Sequence, residues 1–252
     1  MEPRTAEYPL LHPRVSNEAR ILSWNVSYGD HPNHADDVVS ALESIDCDIL
    51  CLSEVVGETV RESLHALGYG GVYIEANYRL DLLKLLRPIQ GGIMFFSRFA
   101  IEDLRVVQTM SDGLLYVRRY YIEARLRVSD NFKVTVGMTH HSLPFESRYK
   151  EACNALCREV AKQNEEFLLV GDLNSPPKFR VIRELENLLT NLGPATTEPS
   201  FVSKRLPRWI YSPKRLDYAF ATTDMLKWVK EVRLLPSGPS DHRPVFVRLE
   251  AN

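Results

Sequence analysis

The chain of 252 residues predicts a layered α/β domain built on two packed sheets. Two observations carry this. Over the first hundred residues, strand-type and helix-type segments alternate. Between about 101 and 139 the pattern becomes long antiparallel strands joined by tight turns, and helices return afterwards.

Residues 20–26 form a strand, with Ile21, Leu22, Trp24 and Val26 apolar. Helical spacing runs over 35–45 through Val38, Val39, Leu42 and Ile45. Residues 48–53 are a short buried strand, and 58–67 a second helix closed by Gly68. Strands follow at 71–75 and 91–97. Those at 101–108, 113–128 and 131–139 are antiparallel, the last two linked by the turn Ser129-Asp130-Asn131. A helix over 146–162, a buried strand at 166–170 and a helix over 178–189 come next. Strands at 216–221, 229–235 and 245–249 complete the set. Residues 1–19 are polar, carry Pro3, Pro9 and Pro13, and read as an N-terminal extension to one domain over 20–252.

The composition, 44% hydrophobic and 25% charged, suits one domain with a sizeable core. A net charge of −2 excludes a uniformly basic coat but leaves room for a local basic patch. No apolar run reaches the roughly 18 residues that span a bilayer. No secretory signal is visible, which points to a cytoplasmic protein; no integral membrane segment is expected, and a monomer is the expected state. Cys47, Cys51, Cys153 and Cys157 fall in two C-x3-C pairs and read as buried reduced thiols rather than a zinc site or disulfides.

The chemistry-bearing residues recur at strand ends, where loops on a rigid scaffold build sites. Asn25 ends the first strand and can offer a carbonyl oxygen to a cation or its NH2 to a phosphate oxygen. Glu54 ends the apolar run Ile49-Leu50-Cys51-Leu52, where a divalent cation would compensate a buried carboxylate. His140, in Thr139-His140-His141, follows its strand into the site. Asp172 and Asn174, in Gly171-Asp172-Leu173-Asn174-Ser175, project to one side if the chain stays extended. They could then orient a water and hold a phosphoryl oxygen. Asp217 lies among Leu216, Tyr218, Ala219 and Phe220 and needs a partner. His242, in Ser240-Asp241-His242-Arg243-Pro244, is the natural one, its tautomer fixed by the carboxylate. Taken singly, each has a plain structural explanation: a turn Asn, a surface Glu, a loop His, an Asx turn before Pro176-Pro177.

Taken together and in this order, Trp-Asn, Glu, Thr-His, Gly-Asp-x-Asn, Asp-Tyr and Ser-Asp-His resemble the endonuclease/exonuclease/phosphatase superfamily. The stretch Gly91-Gly92-Ile93-Met94-Phe95-Phe96-Ser97-Arg98 resembles its glycine-led central strand. That group contains deoxyribonuclease I-like nucleases, inositol polyphosphate 5-phosphatases, neutral sphingomyelinases and tyrosyl-DNA phosphodiesterase 2. The resemblance covers about residues 20 to 250. It implies a four-layered sandwich of two mixed β-sheets flanked by helices, and Mg²⁺ or Mn²⁺ as cofactor. It implies Glu54 as principal metal ligand with Asn25 and Asp241 nearby, and Asp172 as the residue that orients or deprotonates water. Asn174 would hold phosphoryl oxygens, His242 paired with Asp217 would serve as acid/base, and His140 would bind a non-bridging oxygen or assist the leaving group. Two departures stand out: Ser53 replaces the usual Gln before the metal-binding Glu, which bears on its support, and His141 replaces a Leu, which bears on the substrate rim.

The segment Lys204-Arg205-Leu206-Pro207-Arg208-Trp209-Ile210-Tyr211-Ser212-Pro213-Lys214-Arg215 interleaves five basic residues with aromatics, a pattern suited to a nucleic-acid backbone and its bases. Arg205, Arg208, Trp209 and Lys214 are its candidate substrate contacts, with Arg118 and Arg119 adding to the patch. A competing feature is 78–87, rich in leucine and basic residues: either a lipid-touching rim loop or a buried helix turn. The expected activity is a metal-dependent phosphodiesterase on nucleic acid, a nuclease or a DNA-end-processing enzyme. The alternatives are hydrolysis of a small phosphorylated molecule or phospholipid, and an inactive binding module on the same fold.

Overall fold

Along the central strands side chains alternate between two different apolar layers, and this alternation defines the architecture. The computed structural model describes residues 4–27, 33–80, 88–112, 117–163, 165–193, 198–203 and 212–251. The strands are β1 (Thr5–Tyr8), β2 (Glu18–Asn25), β3 (Ile49–Val56), β4 (Gly70–Leu80), β5 (Pro88–Ser97), β6 (Ala100–Asp112), β7 (Val117–Ser129), β8 (Phe132–His140), β9 (Phe167–Asp172), β10 (Thr190–Asn191), β11 (Asp217–Ala221), β12 (Val229–Leu234) and β13 (Val245–Glu250). The helices are α1 (His34–Ser44), α2 (Thr59–Ala66), α3 (Tyr149–Val160) and α4 (Arg180–Glu186), with a 3₁₀ turn at Thr223–Lys227.

Hydrogen bonding runs in the order β10-β11-β9-β8-β7-β4-β5-β3-β2-β13-β12, with β6 on β7 and β1 on β4. The link between β7 and β4 is the single pair Asn77 and Val117, so the strands divide there into sheets of six and seven. Ile21, Cys51, Phe95, Ile122, Val136, Val170, Ala219 and Val247 point into the shared core between them. Their neighbours Leu22, Leu50 and Phe246 face outward to Val38 and Leu42 of α1 and Val60 and Leu64 of α2. On the other side Phe167, Leu169, Tyr218 and Phe220 meet Cys153 and Leu156 of α3 and Val181 and Ile182 of α4. The result is helix, sheet, sheet, helix: the four-layered sandwich.

The structure departs from the sequence expectations in several places. Residues 5–8 are a strand, antiparallel to β4 with Thr5 opposite Ile74, although nothing in their polarity marks them; an edge strand needs only backbone partners. Residues 78–80 continue β4 and pair with 88–90 of β5, so that part of the 78–87 segment is hairpin rather than helix turn; 81–87 lie outside the described residues. Glu54 lies inside β3 rather than beyond it. All four cysteines are free thiols, three of them buried. Among the described residues no helix is long and apolar enough to cross a membrane.

Candidate active site

The site forms where the C-terminal ends of β2, β3, β8 and β9 meet the N-terminal ends of β11 and β13. Register brings the polar residues into line: His140 is opposite Asp172 across the parallel β8–β9 pair, and Asp172 is opposite Asp217 across β9–β11. Gly171 makes this possible. Its φ is 152°, and a Cβ there would meet the Thr139 carbonyl oxygen at 2.0 Å, so only glycine lets β9 approach β8 so closely.

Asp172 is the centre. Its Oδ2 accepts from Asn25 Nδ2 at 3.0 Å and its Oδ1 from the Asn174 backbone N–H at 2.8 Å. His140 Nε2 and His242 Nε2 stand 3.7 and 3.9 Å from Oδ2. Burial, and then the charge of Asp217, push the Asp172 carboxyl up to about 7, despite the opposing His242, Asn25 and Asn174. Such a group is poised to take a proton near neutrality.

His242 Nδ1 lies 2.8 Å from Asp217 Oδ2. Burial opposes the imidazolium, but the carboxylates of Asp217 and Asp172 outweigh it and hold the ring up to about 10. Ser200, which no motif announced, holds this pair in place together with Ser240 and Trp24 of the two terminal motifs. Ser200 Oγ accepts from the Leu216 and Asp217 backbone N–H groups, each at 2.9 Å. Ser240 Oγ donates to the Asn25 carbonyl at 2.6 Å and accepts from His242 N at 3.0 Å, and Trp24 Nε1 donates to the His242 carbonyl at 3.0 Å. The Phe201 ring packs edge-on against the imidazole, with centroids 4.8 Å apart.

Glu54 enters through a break in pairing. Ser53 is opposite Ile93 and Val55 opposite Gly92, so Glu54 is the extra residue of a bulge, with φ of 60°. Bulges re-aim side chains next to active sites, and this geometry aims the carboxylate without help from the small Ser53. Its Oε1 lies 3.7 Å from His140 Nε2, and 19% of the side chain remains open. Burial pushes the carboxyl up and the Asp241 charge adds to it, while His242, Asn25 and Arg119 oppose.

A hard divalent cation fits this donor set. Burial and then the Asp241 charge disfavour an uncompensated Glu54 carboxylate, and oxygen donors with a partial opening suit Mg²⁺ or Mn²⁺. Asn25 is turned the other way from the expected carbonyl ligand. Its Oδ1 accepts the Ser27 N–H at 2.9 Å, which directs its NH2 to Asp172; the flipped amide would set two donors against each other. Asp172, Asp217 and His242 also bring ligand atoms within 4.8 Å of one another. The His242–Asp217 hydrogen bond occupies Nδ1, which leaves Nε2 as the ring atom that could face a ligand.

Other expected placements change. Asn174 does not share a face with Asp172 in extended chain: its φ is 50°, Leu173 is buried between them, and the Asp172 carboxylate closes an Asx-type turn. The Asn174 amide donates to the His141 carbonyl at 2.9 Å, keeping its second N–H for other use. His141 is not at the rim; it is fully buried, edge-on to Tyr149 of α3, with Nδ1 3.1 Å from the Ser142 carbonyl oxygen. Arg119 is not a rim residue either. It is 5% exposed, with Nη2 on Glu146 Oε1 at 2.7 Å and Nη1 3.4 Å from His140 Nδ1. Arg118 is half-buried on β7 opposite Ser111. Lys214 pairs by its backbone with Phe201, one neighbour from His242, while Arg205, Arg208 and Trp209 lie outside the described residues.

Two packed mixed sheets with carboxylates, amides and two imidazoles converging at one end define a class of phosphoester-processing folds. Residues 22–242 match the Endonuclease/Exonuclease/phosphatase family, and the chain belongs to it. The human Nocturnin catalytic domain with bound sulfate is similar, at 18% identity and TM-score 0.71, covering 98% of this chain and 96% of that one. So are a variant of the 3′ phosphatase NExo from Neisseria bound to a product DNA hairpin (18%, TM-score 0.67, 92% and 100%) and a humanized D. rerio TDP2 (15%, TM-score 0.67, 94% and 100%). At these identities the likeness is one of fold. No curated protein matches the chain in sequence.

Proposed function

We propose that the protein is a Mg²⁺- or Mn²⁺-dependent phosphodiesterase that acts on nucleic acid. The observation that carries this is the surrounding of Asp172: an amide donor from Asn25, a backbone N–H from Asn174, and two imidazole Nε2 atoms within 3.9 Å, one of them backed by Asp217. Glu54 and Asp241 would hold the cation, which supplies charge neutralisation and Lewis-acid polarisation of the phosphoryl group. Asp172, fixed by Asn25 and Asn174, aligns a water and takes its proton as the oxygen attacks phosphorus in line, and the ester oxygen opposite departs with its bonding pair and takes a proton from solvent. His242, oriented by Asp217, directs Nε2 at the phosphoryl oxygens and meets the charge that develops there. The second amide N–H of Asn174 and the His140 ring hold non-bridging oxygens. Fixed donors in a buried site need no reorganisation as charge shifts, which is where phosphoryl transfer gains most.

Nucleic acid is favoured by the basic, aromatic segment 204–215, of which Lys214 pairs by its backbone with Phe201, the ring that packs on His242. The DNA-bound neighbour from Neisseria is consistent with this reading. An inactive binding module has no need of the buried, mutually repelling Asp172 and Asp217. The deciding experiment is a substrate panel with Mg²⁺ and with EDTA: plasmid and single-stranded DNA, RNA, a 5′-tyrosyl oligonucleotide, sphingomyelin and inositol phosphates. Turnover of a nucleic acid, abolished by EDTA, is expected. Turnover of the lipid or inositol substrates alone overturns the substrate class. Equal hydrolysis by wild type and a Glu54→Ala, His242→Ala double variant overturns the enzyme assignment.

A further inference from the structure

The two imidazoles that face Asp172 are backed by opposite charges, and this gives them different protonation patterns. His242 Nδ1 meets a carboxylate, Asp217. His140 Nδ1 meets a guanidinium, Arg119, at 3.4 Å. We propose that Arg119 is a positioning residue that fixes His140 as its Nε2–H tautomer, so that His140 serves the reaction as a hydrogen-bond donor and not as a base.

The chemistry of the donors leaves one solution. A guanidinium carries five N–H groups and no acceptor, so the nitrogen it faces must hold a lone pair. The proton of the neutral ring is then on Nε2, which lies 3.7 Å from both Glu54 Oε1 and Asp172 Oδ2. Both of those atoms are acceptors, so the two sides of the ring agree. Arg119 is itself held rigidly: its side chain is 6% exposed and its other arm is paired with Glu146. Glu146 comes from the loop after β8, so the ion pair joins that loop to β7 across the back of His140. Without Glu146 the buried cation would be costly, and a mobile Arg119 could not specify a tautomer. The consequence rests on the phosphoester reading: the Nε2–H would donate to a non-bridging oxygen, while removal of the water proton falls to Asp172. The tautomer itself does not depend on that reading.

The test is nitrogen NMR of protein labelled with ¹⁵N-histidine, with His140 assigned through His140→Gln, beside steady-state kinetics. In wild type the His140 Nδ1 is expected as an unprotonated nitrogen and Nε2 as a protonated one. In Arg119→Met, which keeps the bulk but not the donors, a mixture of tautomers is expected, with kcat lowered roughly 10–100-fold and KM little changed. Arg119→Lys, which keeps a donor, should recover part of both. A proton on Nδ1 in wild type overturns the proposal, and so does an Arg119→Met variant with unchanged tautomer and kcat. A packing role alone would make Met as good as Lys or better. Should Arg119→Met not fold, Glu146→Gln reads the same shift, and the wild-type spectrum decides without any variant. A protein inactive on every phosphoester that still changes tautomer with Arg119 supports the lock and refutes the proposed function.

Discussion

His141 offers a stability measurement that isolates one buried group. The ring is fully buried beside Tyr149, and burial pushes it down to about 4. In the unfolded chain it titrates near 6.5. A histidine with a depressed folded value is neutral in the fold and binds its proton more readily when unfolded. Its contribution is therefore complete above about pH 6.5 and is lost as pH falls through about 4. The gap is worth about 3 kcal/mol in full, and about 2 kcal/mol between roughly pH 8 and pH 5. His141→Leu removes the group and keeps an apolar volume against α3. At about pH 8 the variant should lie within about 1 kcal/mol of wild type, since it loses the Ser142 hydrogen bond and gains apolar burial. The Asn174 bond is to the backbone carbonyl and survives. Urea unfolding of both proteins at the two pH values, followed by tryptophan fluorescence, gives the double difference in which titrating groups away from His141 cancel. Wild type should lose about 2 kcal/mol more than the variant on acidification. Equal losses would refute the reasoning and mean that His141 is protonated, or hydrated, inside the fold.

Three further outcomes are expected. Asp217→Asn leaves the His242 ring buried but takes away the carboxylate that orients it; hydrolysis should fall roughly 10³–10⁴-fold, the scale seen when a triad aspartate is replaced by asparagine, with unchanged circular dichroism. Glu54→Gln should weaken Mn²⁺ binding by calorimetry at least roughly tenfold while raising thermal stability in the absence of metal, because a neutral amide escapes the cost of burying the carboxylate, to which the Asp241 charge adds; undiminished Mn²⁺ affinity would remove Glu54 from the cation site. Neutralising Arg205, Arg208 and Lys214 together should lower the slope of log affinity for DNA against log salt by roughly 0.7–0.9 for each phosphate that is no longer neutralised, and an unchanged slope would place the DNA elsewhere.

Local chemistry was legible in the sequence wherever a residue's type conflicted with its surroundings. Asp217 inside an apolar strand, Asp172 after Phe167-Leu168-Leu169-Val170, and Glu54 after Ile49-Leu50-Cys51-Leu52 each announce a carboxylate that burial must compensate. Period-two and helical spacing likewise marked most of the strands and all four helices, because side-chain periodicity is a property of the chain itself. What depended on through-space proximity was not legible. The short β1 is a strand only because β4 offers its edge, and the bulge at Glu54 exists only in relation to Gly92 and Ile93. Arg119 reads as a surface base in Tyr116-Val117-Arg118-Arg119-Tyr120, yet the alternation of β7 turns it inward to Glu146 and His140. Asn25 showed that an amide was present but not which end faces the centre; the Ser27 N–H decided that. The order of residue types along the chain was enough for the fold class and for which side chains bring charge to one end of the sandwich. Which of their atoms donate and which accept was settled in three dimensions. A hydrogen bond's direction depends on the partner across the site, and for Trp24 and His242 that partner lies 218 residues away along the chain.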